Sequence, residues 1–320
     1  MRVNRRFLYT GLFLLAIGAI VVAADAGALD TATLTDVVRL WPLAPLVVGL
    51  AIVLRRTQFS LSAGMLAAAV PGLMLGSAFA VVPRFAGDCG VRGTSTSVAT
   101  EQGTFASPAS VSITSGCGTL TIGTAPGNGW AFRAGNTAGR TPTVHTSPGS
   151  LTIASHEADD RNLLDAGRDS WELTLPTSEI EALTIETFAN RSEIALPGAH
   201  IGRLRLTADA SDIVLDLKGA AIGELSGAVN VGSLAIHLPT DAGLAGSVRI
   251  GGGELVICSS PDVGLRVTTR GTPRLVTADG VEQSGSEWRS PGYATAAHRA
   301  DLDVHVNFGA IKINPIGGCR

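Results

Sequence analysis

Hydrophobic and polar residues alternate in short runs that recur every 21 residues between Trp171 and Ser260. Each period holds two such runs, separated by Pro-Gly, Gly-Ala or Ile-Gly pairs. Alternation over so few residues is typical of half-buried strands and not of a helix. The clearest apolar column at this step comprises Leu173, Ile194, Leu215, Ile236 and Ile257.

One period of this length cannot bury its apolar side alone, so successive periods must stack. The pattern therefore predicts an all-β domain over residues 108–316, a parallel β-solenoid with about 21 residues per turn. Less regular strand candidates lie before Trp171, as expected at the end of a repeat array. Residues 302–306 and 310–313 are predicted to be the closing strands. Residues 85–107, rich in Gly, Thr and Ser, are predicted to be a linker.

Three apolar runs occupy residues 1–84, at about 7–24, 40–54 and 59–82, and each predicts a transmembrane helix. Arginines precede the first run and follow the second, which places the N-terminus in the cytoplasm and residues 85–320 outside a multi-pass cell-membrane protein. A cleaved signal peptide ending at Ala24 is the alternative for the first run. Gly72 and Gly76 form a small-xxx-small pair that would let another helix approach closely.

The first sixty residues resemble the membrane hairpin of LiaF-like cell-envelope-stress proteins. The similarity rests on residues 8–13, on Leu40-Trp41-Pro42-Leu43, and on the ending Leu54-Arg55-Arg56. Residues 108–314 are similar to the toast-rack, adhesin-like β domains of the same family, through 171–176 and 307–313. These resemblances imply a membrane-anchored β domain that takes part in a cell-envelope stress response.

Charged residues make up only 16% of the chain, and the part after Arg84 has an excess of acidic residues. A mildly acidic surface without a basic cluster argues against nucleic acid as a partner. All four cysteines, Cys89, Cys117, Cys258 and Cys319, lie in this part. Their even number on one side of the predicted membrane segments favours two disulfides, and buried free thiols remain the alternative. Four cysteines allow three pairings, of which we expect Cys89 with Cys117 and Cys258 with Cys319.

Asp209, Asp212 and Asp216 are the candidates for polysaccharide cleavage, which needs two carboxyl groups at a defined separation. The sequence Thr-Ala-Asp-Ala-Ser-Asp is more typical of a turn, where Asp commonly bonds its own backbone. Asp216, His237 and Cys258 share the 21-residue step and are ligand types that suit zinc, but a straight column that lacks a fourth ligand favours a solvated ladder. The sequence therefore predicts no catalytic residue, no cofactor and no metal.

Trp130, Trp171 and Trp288 are predicted to seal the ends of the solenoid core, where no neighbouring turn exists. The sequence as a whole predicts a non-enzymatic binding or regulatory module, with a protein or cell-envelope partner besides the lipid bilayer. A surface adhesin is the alternative, and a carbohydrate-cleaving enzyme is a weaker one. Nothing in the sequence indicates an oligomeric state.

Overall fold

The computed structural model describes residues 5–25, 43–54, 57, 64–75, 95–106, 108–155, 167–271, 275–316 and 318. The chain divides into two compact units, Met1–Phe85 and Ala86–Arg320. The first contains helices α1 (Arg5–Asp25), α2 (Leu43–Leu54) and α3 (64–75). A Cβ on Gly72 would lie 2.7 Å from the carbonyl oxygen of Phe13, so α3 packs closely on α1. Gly76 lies outside the described residues.

The prediction of three transmembrane helices is wrong. Among the described residues, no helix combines the length and the hydropathy that a membrane crossing requires. For example, α2 has 12 residues and so spans about 18 Å, well short of the roughly 30 Å of a bilayer core. The multi-pass placement, with residues 85–320 outside the cell, depended on these helices and is overturned with them.

The second unit is built almost entirely of strands. They are β1 (Thr96–Thr104), β2 (Ala109–Ser115), β3 (Gly118–Ala125), β4 (Gly129–Asn136), β5 (Thr143–Ser147), β6 (Ser150–Ala154), β7 (Asp169–Pro176), β8 (Ile180–Thr187), β9 (Asn190–Ala195), β10 (His200–Asp216), β11 (Ala221–His237), β12 (Leu244–Cys258), β13 (Val263–Gly271), β14 (Leu275–Ala278), β15 (Glu282–Ser284), β16 (Glu287–Arg289) and β17 (His298–Ile313). β1 lies within the predicted linker, and its largely exposed pattern explains why no apolar periodicity marks it.

Parallel pairing follows the 21-residue step through the middle of this unit. Ile194 is the register partner of Leu215, and Leu215 is the partner of Ile236. A slip of one residue would turn every buried side chain outward, so the apolar columns determine this register. The predicted stacking of these columns is confirmed.

The long strands β10, β11, β12 and β17 each contribute to two layers. The first part of β10 pairs with β8, and its last part pairs with β9. The inward side chains of both layers belong to one continuous core. Each long strand therefore bends where it passes from the first layer to the second.

Glycine occupies this bend in three neighbouring strands. Gly232, Gly253 and Gly309 are register partners with φ of 132°, 132° and 148°. A Cβ on Gly253 would overlap the carbonyl oxygen of Gly232. β11, β12 and β17 can therefore stack at the bend only because their residue there has no Cβ. In β10 the position holds Ser211, which is buried and lies 3.1 Å, oxygen to oxygen, from the hydroxyl of Thr187.

The order of the strands in the stack departs from their order in the chain at both ends. β17 lies between β12 and β13, so residues 302–306 and 310–313 are not the closing strands and that prediction is wrong. In the same way, β2 lies between β6 and β8, and β3 lies between β7 and β9. β2, β3 and β17 thus lie one position inside the ends of the stack, and each is bonded to a strand on both sides.

Antiparallel strands cover the two ends of the stack. β4 pairs with β7 and β1 with β4 at one end, and β16 pairs with β13 at the other. The three tryptophans lie in these end strands, and Trp171 is buried with its ring edge-on to Phe132 at 5.4 Å between centroids. Their predicted role as caps agrees with these positions, since bulky caps protect strands that have no further neighbour.

Candidate functional site

The carboxylates that could cleave a polysaccharide lie in a strand and not in a turn. Asp209 and Asp212 are exposed residues of β10. Asp209 accepts a hydrogen bond from Asn230, and Asp212 accepts one from Ser233 at 2.7 Å. The predicted turn is wrong because Ser211 fits the bend and lets β10 continue through it. Each carboxylate is therefore bonded to the next strand instead of facing a second carboxylate.

The three residues considered for zinc binding occupy equivalent positions on neighbouring strands. Asp216 is the register partner of His237, and His237 is the partner of Cys258. Asp216 accepts a hydrogen bond from the backbone N–H of Lys218 at 3.0 Å. Burial and then the charge of Lys218 lower the pKa of His237, against the opposing effect of Asp216. Across the described part of the chain, no three His, Cys, Asp or Glu side chains are grouped to hold a metal.

The two described cysteines, Cys117 and Cys258, are both disulfide-bonded. Cys258 is therefore not a thiolate that could bind a metal. The other two cysteines, Cys89 and Cys319, lie outside the described residues. The pairing of Cys89 with Cys117 and of Cys258 with Cys319 stays a prediction.

Asp169 is a buried carboxyl at the start of β7. Asn136 donates a hydrogen bond to it at 2.9 Å, and the Asn136 side-chain oxygen accepts the backbone N–H of Ala138 at 2.7 Å. Burial raises the pKa of Asp169 to about 6, and the hydrogen bond from Asn136 opposes this shift. Through Asn136, Asp169 holds the loop that follows β4. The residue is only 8% exposed, which suits a structural role better than contact with a substrate.

We expect Asp169→Asn to stabilise the protein above pH 7. The pKa of Asp169 is raised by folding from 3.8 to about 6, so the folded state binds the proton more tightly and this group's contribution to stability is lost as pH rises from about 4 through 6. Asparagine keeps the acceptor for Asn136 but carries no charge. The gain at pH 8 should be about 2 to 3 kcal/mol, vanishing below pH 4, in urea unfolding curves at both pH values. An equal gain at pH 4 would contradict this, and the exposed Asp262→Asn is the control.

A cluster of arginines surrounds Tyr293 at the β13 end of the stack. The guanidinium carbons of Arg266 and Arg289 each lie 5.2 Å from the centre of the tyrosine ring, and that of Arg299 lies 5.6 Å from it. These distances are typical of cation–π contacts. We call these four residues, together with Asp301, the Tyr293 cluster.

Hydrogen bonds fix the centre of the Tyr293 cluster. The Tyr293 hydroxyl donates to Asp301 at 2.6 Å, and Nε of Arg266 donates to the same carboxylate oxygen at 2.7 Å. Burial and then the bond to Asp301 raise the pKa of Tyr293, so the phenol stays protonated. The turn that carries Tyr293 packs on β13 at Gly264, where a Cβ would lie 3.0 Å from the Tyr293 Cα.

The same turn forms one wall of a cleft of about 530 Å³. Ser290, Pro291 and Gly292 line this wall, and the backbone N–H of Tyr293 donates to the carbonyl of Ser290 at 3.0 Å. Ser259, Ser260, Asp279 and Asn314 line other parts of the cleft. Pro261, Val263 and Pro315 also line it, so the cleft presents both polar and apolar surface to a ligand.

Sequence reasoning missed the Tyr293 cluster. Its arginines lie at positions 266, 289 and 299, with no regular spacing, and Arg289 belongs to the hairpin of β15 and β16. The only local signal is the turn sequence Ser290-Pro291-Gly292 before an isolated tyrosine, and such turns are common.

Comparison with known proteins leaves the chain without an assigned family. No family model and no curated protein matches it. Among solved structures, it is similar to a candidate cell adhesion protein from Clostridium sporogenes, with 14% identity and a TM-score of 0.45 over 68% of this chain and 99% of that one. It is also similar to a candidate adhesin from Bacteroides fragilis, with 9% identity and a TM-score of 0.27 over 70% of this chain and 100% of that one. At these scores the likeness supports no functional argument, and neither comparison supports the LiaF resemblance.

Proposed function

We propose that this protein is a non-enzymatic binding module that presents rigid outward rows of polar side chains to a protein or cell-envelope partner. The observation that carries the proposal is the bonding of Asp209 to Asn230 and of Asp212 to Ser233 across neighbouring strands. Neighbouring strands lie about 4.8 Å apart, so these side chains are held at regular intervals before any ligand arrives. Such pre-organisation lowers the entropy that binding costs.

The arrangement of the carboxyl groups disfavours hydrolysis. Glycoside cleavage uses two carboxyl groups that flank the scissile bond, one of them with a raised pKa. Among the described residues, the carboxyl with a markedly raised pKa is Asp169, which is buried against Asn136. Asp209 and Asp212 are instead tied to neutral partners on the next strand.

Binding without turnover is the expected result when purified full-length protein is incubated with bacterial cell-wall polysaccharide. The polysaccharide should be retained saturably, and no new reducing ends should appear over several hours. The double variant Asp209→Asn/Asp212→Asn should likewise release no product. Steady release of reducing ends by the native protein that disappears in the double variant would show that the module is an enzyme.

The finer assignment is a role in a cell-envelope stress response, which follows the resemblance of residues 108–314 to the β domains of LiaF-like proteins. A structural adhesin is the second form of the same proposal. The two differ in what removal of residues 85–320 would do in the cell. A regulator would lose control of the stress response, whereas an adhesin would lose attachment and keep that control.

A further inference from the structure

We propose that two copies of this protein associate through β1, with the two strands paired edge to edge and antiparallel about a two-fold axis. The pairing would join the layers that contain β9 in the two copies into one continuous sheet. It concerns assembly, and it goes beyond the binding role proposed above.

β1 differs from the other strands at the edges of the described sheet. β5, β14 and β15 are each paired on one side and have 5, 4 and 3 residues. β1 has 9 residues and, among the described strands, pairs only with β4. Proteins usually keep open edges short or protect them with lysine, proline or a bulge. β1 has no lysine or proline, and beyond its bulge at Val98 the register is regular from Ala99 to Thr104.

The backbone of β1 offers hydrogen-bonding groups on the side away from β4. The N–H of Phe105 donates to the carbonyl of Asn128 at 2.9 Å, which places this residue at a bonded position of the pair. Bonded and non-bonded positions alternate along antiparallel strands. The backbone groups of Thr100, Gln102 and Thr104 therefore face away from β4, and all three residues are exposed. Their N–H and C=O groups are open to a further strand.

β1 also projects beyond the other layer at this end of the stack. From β9 outward the strands are β3, β7, β4 and β1, whereas from β8 outward they are β2, β6 and β5. The ring of Trp130 lies against β1, where a Cβ on Gly103 would be 2.9 Å from the indole. Because β5 ends one strand short of β1, a second copy can approach the free edge without meeting it.

The side chains of β1 favour one antiparallel register. A two-fold axis at Gln102 pairs this residue with itself, sets Thr100 opposite Thr104 and sets Glu101 opposite Gly103. Threonine pairs across antiparallel strands are stabilising. An axis at Glu101 would instead place the one charged side chain of β1 opposite its own copy, which is destabilising. An axis at Gly103 would place Thr100 beyond the end of the partner strand.

This self-complementarity favours a second copy over an unrelated segment as the occupant of the edge. A two-fold contact uses the same surface of both copies, so β1 must match itself, as it does about Gln102. The contact uses the free edge of each copy, so assembly stops at a dimer and does not continue into a fibre. A contact of two strands is small, so the dimer should dissociate on dilution.

Light scattering of the full-length protein over a wide range of concentrations tests this proposal. The average mass should rise from the monomer value of 32.7 kDa toward twice that value as the concentration increases. Amide hydrogen exchange gives a second, local measurement. The N–H groups of Thr100, Gln102 and Thr104 should exchange more slowly in the concentrated sample, because only the dimer bonds them.

Substitutions at Gln102 separate this edge from the rest of the surface. Gln102→Pro removes an outward N–H and should weaken the dimer about tenfold or more, while an open edge tolerates the proline. Gln102→Lys places two like charges opposite each other and should weaken the dimer about fivefold, and less at high salt. Gln283→Pro is the same change in the edge strand β15 and should leave the dimer intact. Thermal melts of the three variants check the fold.

A constant monomer mass at every concentration would overturn the proposal. A dimer that survives Gln102→Pro would also overturn it, because the contact would then lie elsewhere in the chain. Equal weakening by Gln283→Pro would assign the effect to proline in general and not to the β1 edge. A mass that grows beyond the dimer would contradict the closed two-fold contact. The retention of polysaccharide, which tests the proposed function, is a separate measurement.

Discussion

Replacing Gly253 with alanine is expected to destabilise the β unit by about 3 kcal/mol. This is one of the two largest effects that we expect from a single substitution. Gly253 has φ of 132°, a region that residues with a Cβ rarely adopt. The added carbon would overlap the carbonyl oxygen of Gly232. Relief of that overlap requires β12 to move away from β11 at the bend, which breaks parallel bonds in both layers.

The neighbouring glycine provides a matched control. A Cβ on Gly252 would lie 3.8 Å from the carbonyl oxygen of Phe308, an ordinary contact, and its φ is not in the left-handed region. Gly252→Ala should therefore change stability by less than about 1 kcal/mol. Urea unfolding followed by circular dichroism measures both variants. Similar losses in the two would show that the bend does not require glycine at position 253.

Leu215→Ala should cost about 3 kcal/mol, within the usual range for truncation of a fully buried leucine. Leu215 is 1% exposed and lies between Ile194 and Ile236 in the stacked column. Its removal leaves a cavity with apolar walls above and below, because neighbouring strands held by backbone bonds cannot close in to fill it. The effect tests the stacking of the columns, since a leucine outside the core would not produce it.

Leu275→Ala is the same chemical change at a position that is 54% exposed in β14. We expect it to cost less than about 1 kcal/mol, because most of the removed surface already faces water. Unfolding midpoints in urea, compared at equal slope, give both values. Equal losses at Leu215 and Leu275 would refute the assignment of Leu215 to the core column.

The membrane prediction illustrates what an apolar run cannot establish. Hydropathy marks residues 40–54 as apolar, but the length of a helix depends on where its backbone bonding begins and ends. The helix there is Leu43–Leu54, which begins after Pro42. Pro42 and Pro45 restrict the backbone at this end, since proline is tolerated only in the first turn of a helix. For this segment the helix is therefore shorter than the apolar run.

In the centre of the stack, the 21-residue spacing of apolar positions was sufficient to predict which strands are neighbours. Strands β8 to β12 follow one another without insertions, so each residue at the 21-residue step meets its predicted partner. The same step places Leu265 beside Leu244, but the structure inserts Ala300 between them. All three residues are small or apolar and buried, so their pattern does not distinguish the two orders.

The candidate site was predictable only in part. The outward column Asp216, His237 and Cys258 was found from spacing and lies in register as expected. The Tyr293 cluster draws its residues from β13, β16, β17 and a turn, and it forms only because β17 returns to lie beside β13. No spacing of residues along the chain predicts that β17 lies beside β13.

The sequence by itself determined which side chains of each central strand face the core and which residues of neighbouring strands are partners. This follows from the alternation of side chains along a strand and from the requirement that every apolar row stay out of water. Only the tertiary structure decided the order of the end strands, the bend at Gly253 and the meeting of three arginines at Tyr293. Backbone bonding between parallel strands is the same for any pair, so the choice among pairs depends on packing over the whole stack.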